Sequence, residues 1–359
     1  MKALLLAGGR GTRLRPLTHS NNKHAIPIAN KPLIMYPFQN IVDAGIEEIG
    51  IVVNETRHEI ETILGDGSRW GVKITYIFQD HPGGLAHALS LAKDFMKDEK
   101  FVMVLGDNML EKGFKDSFTK FLRSGLNGMV LGVKYPREEL KRLGCAVTKN
   151  GLLKKYVEKP ENPPDNCYGV PGFYFFDKNV FKCFKGKDKI RPSARGELEI
   201  VSPYNWLLDH GYKVGFEEVK GWWKDPGKPY DTLITNQVVM NTIMTNENNG
   251  KVKNTQIEGK VHIEKGAIVK NSTLRGPVAI GKNTKIECCY IGPYTSIYHD
   301  CEFINVEIEN SIVMENVKVR NTKTRLDSCL IGKDAEVTEV SGHPRSTSLF
   351  IGDNSIVKL

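Results

Sequence analysis

The chain has 359 residues, 40% of them hydrophobic and 26% charged, with a formal net charge of +8. One hydrophobic core rarely organises more than about 250–300 residues, so two domains are expected. The basic residues are dispersed and form no block interleaved with aromatics, which argues against nucleic acid as a partner and leaves small anionic ligands. No apolar run approaches the roughly 20 residues of a membrane span, so no membrane partner is expected. The short run ALLLA at Ala3–Ala7 is too brief for a signal-peptide core. Seven cysteines without a C-x-x-C spacing are expected to be free thiols of a cytoplasmic protein.

Ala3–Ala7 has no polar residue, as in a strand buried on both faces of a parallel sheet. It runs into Gly8, Gly9 and Gly11, with Arg10, Arg13, Arg15 and Lys23 nearby. Glycines bring backbone N–H groups close to a ligand, and cations beside them suit a phosphate. Two familiar phosphate loops fail on inspection. Leu14 stands where a dinucleotide fingerprint needs its third glycine, and no Gly-Lys-Ser/Thr occurs for a P-loop.

Chain order then gives alternating elements. A helix is predicted from Pro32 to Ala44, with Ile34, Phe38, Ile41 and Val42 on one face and Gly45 closing it. Short buried strands are predicted at Ile49–Val53, Ile74–Phe78, Phe101–Leu105 and Met129–Val133, and a second helix at Leu85–Met96. The alternation implies an α/β domain with a doubly wound, Rossmann-like, mainly parallel sheet over residues 1–240. Ligands of such sheets lie beyond the C-terminal strand ends, where the glycine loop and Asp107 fall. A polar stretch, TNENNGKVKN at 245–254, reads as a linker within 241–255.

Beyond it the rhythm changes. Leu274, Ile280 and Ile286 are six apart, as are Ile291, Ile297 and Phe303, and the second set repeats the first after seventeen residues. Six-residue aliphatic spacing marks a left-handed parallel β-helix, expected over 256–359. The repeat is imperfect at Asn310–Asn321 and at SGHPRSTS, where loops are expected to protrude.

LAGGRGTRLRPLT, followed by Lys23 and PIANKPLI, resembles the signature of the sugar-1-phosphate nucleotidylyltransferases. GWWKDPGKP, PSARGELEI and the closing FIGDNSIVKL resemble the long form of the glucose-1-phosphate thymidylyltransferases within that family. The resemblance implies Mg²⁺-dependent transfer of a nucleotidyl group from dTTP to α-D-glucose 1-phosphate, giving dTDP-glucose and pyrophosphate. Two alternatives stay open. One is a UTP-using uridylyltransferase, since one methyl discriminates by roughly 1–3 kcal/mol. The other is a bifunctional nucleotidylyltransferase/acetyltransferase, for which His299 is the candidate on the β-helix.

Residue by residue, the resemblance implies that Leu6, Gly8, Gly9, Gly11, Gln79, Pro82, Gly84 and Asp107 bind the nucleotide. Leu85 is expected to pack beside the base. Arg13 and Lys23 are implied as transition-state cations, and Asp107 and Asp225 as Mg²⁺ ligands. Gly144, Glu158, Lys159, Val170, Gly172, Tyr174 and Arg195 are implied for the sugar phosphate, with Lys159 counted among the catalytic cations. Two positions depart from the family pattern: His24 where glutamine is usual, and Pro226 where a small hydroxyl residue is expected. His81 and His87 stand six apart, a spacing that suits neither helix nor strand. With no third ligand evident, they are expected to face solvent or line the pocket. A homo-oligomer is expected from the β-helix.

Overall fold

The computed structural model describes residues 1–19, 21–339 and 351–357. These residues divide into two compact units. One comprises Met1–Gly9 and Ile34–Lys224, and the other Arg10–Leu33 and Asp225–Leu359.

The first unit is built on a ten-stranded sheet. From one edge the strands run Tyr168–Val170, Gly144–Lys149, Leu152–Glu158, Val214–Glu218, Gly128–Gly132, Phe173–Phe176, Phe101–Leu105, Lys2–Leu6, Glu48–Val53 and Lys73–Phe78. Lys2–Leu6 pairs in parallel with both neighbours. Tyr168–Val170, Leu152–Glu158 and Phe173–Phe176 run against the strands beside them. The sheet is therefore mainly parallel with antiparallel insertions.

Successive side chains of a strand point to opposite faces, and the apolar runs here are divided accordingly. Ala3, Leu5, Val102, Val104, Phe173 and Phe175 enter one core with Ile34, Phe38, Phe118 and Phe121. Leu4, Leu6, Phe101, Met103, Tyr174 and Phe176 enter the other with Leu89, Met96 and Tyr204. Helices Met35–Asp43 and Lys115–Arg123 thus cover one face, and Leu85–Leu91 and Val201–Asp209 the other. Each fully buried leucine contributes about 1.5–3 kcal/mol. This explains why so uniformly apolar a run holds the centre of the sheet.

The helix expected from Pro32 begins at Met35, because Lys31–Pro32 pairs with Pro27–Ile28 in a tight hairpin. The helix expected over Leu85–Met96 is broken into Leu85–Leu91 and Lys93–Met96.

The second unit contains a parallel β-helix of three stacked sheets. Val252, Val269, Ile286, Phe303, Val319 and Val337 lie in one register column along it. Its core holds Leu274, Ile280, Ile286, Ile291, Ile297 and Phe303, the residues whose spacing marked the repeat. Corner residues Asn254, Asn271, Asn305 and Asn321 take left-handed backbone with φ of 50 to 55°, which asparagine tolerates. Cys288 occupies the same corner at φ 54°.

Two sequence expectations change here. Residues 245–254, read as a linker, contain strands Glu247–Asn248 and Lys251–Lys253, which pair into the first coil. Asn310–Asn321 forms no protruding loop, because Ile312–Val313 and Lys318–Arg320 keep their places in the stack. The stretch SGHPRSTS lies outside the described residues.

The β-helix unit also includes Arg10–Leu33, most of the sequence signature, and the helix Pro229–Thr242. All seven cysteines are free. No helix among the described residues is long and apolar enough to cross a membrane.

Candidate active site

In the sheet unit, the candidate residues cluster at strand ends. The first strand continues as Ala7 N–H donates to Val52 O at 2.8 Å, and Asn54 Nδ2 donates to Gly8 O at 2.8 Å. A Cβ on Gly8 would lie 3.3 Å from Gln79 Oε1, so the Gln79 amide packs directly on the glycine loop. Gln79 is held at its other end by Nε2, 3.0 Å from His87 Nδ1.

Gly84 has φ +95°, and a Cβ there would meet Leu198 O at 2.5 Å. Leu198 clamps this turn, accepting from Ala86 N–H at 2.9 Å and donating to Gly83 O at 2.8 Å. Leu6 and Leu85 share a hydrophobic cluster, whereas Pro82 is exposed.

Asp107 follows the strand Phe101–Leu105, and its carboxylate is held by a residue that sequence reasoning missed. Asn108 is 2% exposed. Its Oδ1 accepts from Trp223 Nε1 at 2.7 Å and from Gly172 N–H at 3.1 Å. Two donors on one oxygen fix the orientation of the amide, so Nδ2 is aimed at Asp107 Oδ1, 2.9 Å away. Gly172 is needed at this junction, since a Cβ would collide with Leu105 Cγ at 2.5 Å.

A second cluster gathers most of the expected sugar-phosphate residues. Gly144 is the cross-strand partner of both Glu158 and Val170. A Cβ on Gly144 would lie 2.6 Å from the Tyr156 ring. Arg195 Nη2 bridges Glu158 Oε1 at 3.2 Å and Glu199 Oε1 at 2.8 Å, and Ser193 Oγ donates to Glu199 at 2.9 Å. Burial works against the Arg195 cation, but Glu199 and Glu158 outweigh it and raise its pKa. Lys159 Nζ lies 3.5 Å from Glu158 Oε1, on a residue with φ 40°. Tyr174 is buried in the sheet behind this cluster.

The β-helix unit carries the remaining cations and Asp225. Arg13 sits on the 3₁₀ turn Thr12–Leu14, which Gly11 starts from φ +61°. A Cβ on Gly11 would lie 2.8 Å from Lys23 Cβ, so glycine is required for Lys23 to approach this turn. Thr18 Oγ1 donates to Gly11 O at 2.7 Å. Lys23 is only 8% exposed and starts the turn Lys23–Ala25, capped by Asn22 Oδ1 accepting from His24 N–H at 3.0 Å. His24 is buried, with Nδ1 2.6 Å from the same oxygen. The departure at this position is thus a packing residue of the Lys23 turn.

Arg13 Nη2 and Asp225 Oδ1 lie 3.0 and 3.5 Å from where a Gly227 Cβ would stand. Gly227 N–H donates to Asp225 O at 2.8 Å, a bond that needs no N–H from residue 226 and so accommodates Pro226.

His81 is exposed and His87 half-buried, in line with the expectation, but the expected lack of a third ligand is corrected. Asp80 joins them as a third potential ligand, with the three donor atoms within 4.8 Å of one another. Burial and then the neighbouring His81 push the His87 pKa down. On the β-helix, His299 Nδ1 lies 2.7 Å from Asp300 Oδ2.

The sheet unit offers Lys159 and Arg195, the Asp107 carboxylate and an amide seated on a glycine loop, and the β-helix unit offers Arg13, Lys23 and Asp225. These are groups suited to charged phosphates rather than to a covalent nucleophile. The family profile described as "Nucleotidyl transferase" matches residues 2–241. A glucose-1-phosphate thymidylyltransferase of Streptomyces griseus is 37% identical over 356 residues, 99% of this chain and 98% of that protein. The low-salt glycan biosynthesis nucleotidyltransferase Agl11 of Haloferax volcanii is 39% identical over 364 residues, covering all of both chains. A Bacillus anthracis protein crystallised with a sucrose superposes with a TM-score of 0.61 at 33% identity, covering 66% of this chain and 94% of that one. With the family profile matching residues 2–241 and the likeness running through both units, the chain belongs to the nucleotidyl transferase family.

Proposed function

We propose that the protein joins α-D-glucose 1-phosphate to dTTP, releasing pyrophosphate and forming dTDP-glucose. The observation that carries this reading is the Gln79 amide seated on Gly8, in the same unit as the cluster of Glu158, Lys159 and Arg195. Gln79 presents a donor and an acceptor suited to the edge of a pyrimidine. The full-length likeness to a thymidylyltransferase supports dTTP. UTP is the competing donor, since an amide reading the base edge does not sense the methyl that distinguishes the two.

A phosphate oxygen of the sugar phosphate attacks the α-phosphorus. A new P–O bond forms as the bond to the β-phosphate bridging oxygen breaks, and pyrophosphate leaves with that electron pair. The nucleophile is already anionic near neutral pH, because the second pKa of a phosphate monoester is about 6. The protein therefore needs alignment and charge neutralisation rather than a general base.

We assign Arg13 and Lys23 to the triphosphate and Lys159 and Arg195 to the sugar phosphate, with Glu158 on a sugar hydroxyl. Asp107 and Asp225 offer hard oxygen ligands of the kind Mg²⁺ prefers, and the fixed orientation of Asp107 under Asn108 fits a ligand role. When bound, Mg²⁺ supplies neutralisation of the phosphate oxygens.

The test is pyrophosphate release with each of five nucleoside triphosphates against a panel of sugar 1-phosphates. The reading requires dTTP with glucose 1-phosphate to be the fastest pair. UTP as the faster donor replaces thymidylyl with uridylyl transfer, and no release from any pair rejects the enzyme reading.

A further inference from the structure

The turn after the edge strand Lys73–Phe78 gathers side chains to which the proposed transfer assigns no direct contact with substrate. Asp80, His81 and His87 each place a ligand atom within 4.8 Å of the other two. His81 Nδ1 lies 2.7 Å from Asp80 Oδ1, and the His81 and His87 rings face one another at 4.5 Å with planes 31° apart.

The backbone produces this convergence. Gly84, at φ +95°, reverses the chain into the helix Leu85–Leu91, and Leu198 fastens both sides of the turn. A Cβ on Gly83 would stand 2.6 Å from His87 Nδ1, so the bare glycine leaves room for the imidazole to fold back over the turn. Two side chains six apart thereby become neighbours.

Two imidazoles and one carboxylate form a borderline donor set that suits zinc-type ions, whereas Mg²⁺ prefers oxygen alone. Zinc–nitrogen bonds of about 2.0–2.1 Å put ligand atoms roughly 3.3 Å apart in a tetrahedron. The three ligand atoms, within 4.8 Å of one another, stand near that spacing, and Asp80 and His81 are exposed.

We propose that Asp80, His81 and His87 bind a divalent transition ion of the zinc type, with solvent completing its coordination. His87 also holds the Gln79 amide, so an ion on His87 pulls against the orientation in which Gln79 meets a base. This coupling rests on the base-reading role proposed for Gln79. By linkage it is reciprocal: ion and nucleotide weaken each other by the same factor.

The experiment titrates Zn²⁺ into the full-length, nucleotide-free protein by calorimetry, with excess Mg²⁺ present. Co²⁺ absorption then serves to distinguish nitrogen and oxygen ligation from thiolates. One site is expected, with a ligand-field spectrum lacking a thiolate charge-transfer band. Loss of an outer-shell partner alone lowers metal affinity about 10–100-fold, so His81→Ala or His87→Ala is expected to cost at least that. Equal Zn²⁺ binding by the wild type and the double alanine variant overturns the site, as does a thiolate spectrum. A dTTP titration with and without Zn²⁺ then reads the coupling: weaker dTTP binding supports it, and unchanged binding overturns it. Pyrophosphate release by His81→Ala without Zn²⁺ stays at the wild-type rate, which separates failure of this site from failure of the enzyme reading.

Discussion

The side chain of Asn236 accepts the backbone N–H of Ala29 at 2.7 Å. Asn236, on the helix Pro229–Thr242, is 1% exposed. Its Oδ1 also accepts from Ser296 Oγ at 3.2 Å, while Nδ2 donates to Tyr294 O at 3.0 Å. The next residue along, Asn30, donates from Nδ2 to Ile297 O at 2.8 Å. The tip of the hairpin that follows Lys23 is thus pinned to the β-helix.

Asn236→Ala leaves several buried groups unsatisfied, at about 1–3 kcal/mol each, and loosens the segment carrying Lys23. Misplacement of about 1 Å can cost 10²-fold in rate, so kcat is expected to fall by up to about that factor with little change in KM for the nucleotide. Asn236→Asp does not rescue, because a carboxylate cannot donate to Tyr294 O. Thermal melting with steady-state kinetics checks this. An unchanged kcat in Asn236→Ala removes the β-helix from any part in placing Lys23.

Asn108 is expected to act through Asp107. Asn108→Ala removes the donor to Asp107 Oδ1 and is expected to raise the Mg²⁺ concentration for half-maximal rate about 10–100-fold. Excess Mg²⁺ partly restores turnover. A purely structural role would lower the melting temperature without moving the Mg²⁺ dependence.

Gly11→Ala is expected to reduce both stability and rate. Left-handed backbone costs a non-glycine residue about 1–2 kcal/mol, and the added Cβ meets Lys23 Cβ at 2.8 Å. Gly45→Ala is the control: its φ is +75° with nothing within 4 Å of the new atom. It is expected to lose stability and keep its rate. Equal rate losses in the two variants would assign the effect to strain rather than to Lys23.

Cys288→Asn is expected to stabilise the β-helix. Cys288 interrupts a corner in which Asn254 bonds Asn271 at 3.3 Å and Asn305 bonds Asn321 at 3.4 Å. Asparagine fits the φ of 54° and can join Asn271 to Asn305, adding about 0.5–1 kcal/mol. A lower melting temperature would contradict this.

Some of this was legible in the sequence. Phe101–Leu105 was read to the residue because a strand buried on both faces has no polar residue to blur its ends. The β-helix register followed from aliphatic side chains that must stack at fixed spacing. The late start of the helix Met35–Asp43 was not legible, because the hairpin before it turns on Ala29 and Asn30 at φ 46° and 60°. Alanine gives little hint of a left-handed turn. The first coil reads as a linker because its strands are largely exposed and polar. Asn108 carries no sequence signal of its own. Its role depends on Trp223 and Gly172, distant in sequence. The meeting of Asp80, His81 and His87 escaped periodicity because a glycine turn, not a helix or strand, makes it.

Nucleotidyl transfer to a sugar phosphate is expected to depend on Asp107 and Asp225. Phosphorus NMR of the protein with dTTP, glucose 1-phosphate and Mg²⁺ tests it most directly. New nucleotide-sugar diphosphate and pyrophosphate signals are expected with the wild type. Neither is expected in Asp107→Asn or Asp225→Asn when circular dichroism shows both variants folded. Wild-type rates in either folded variant, or no new signal from the wild type with dTTP or UTP, would contradict it.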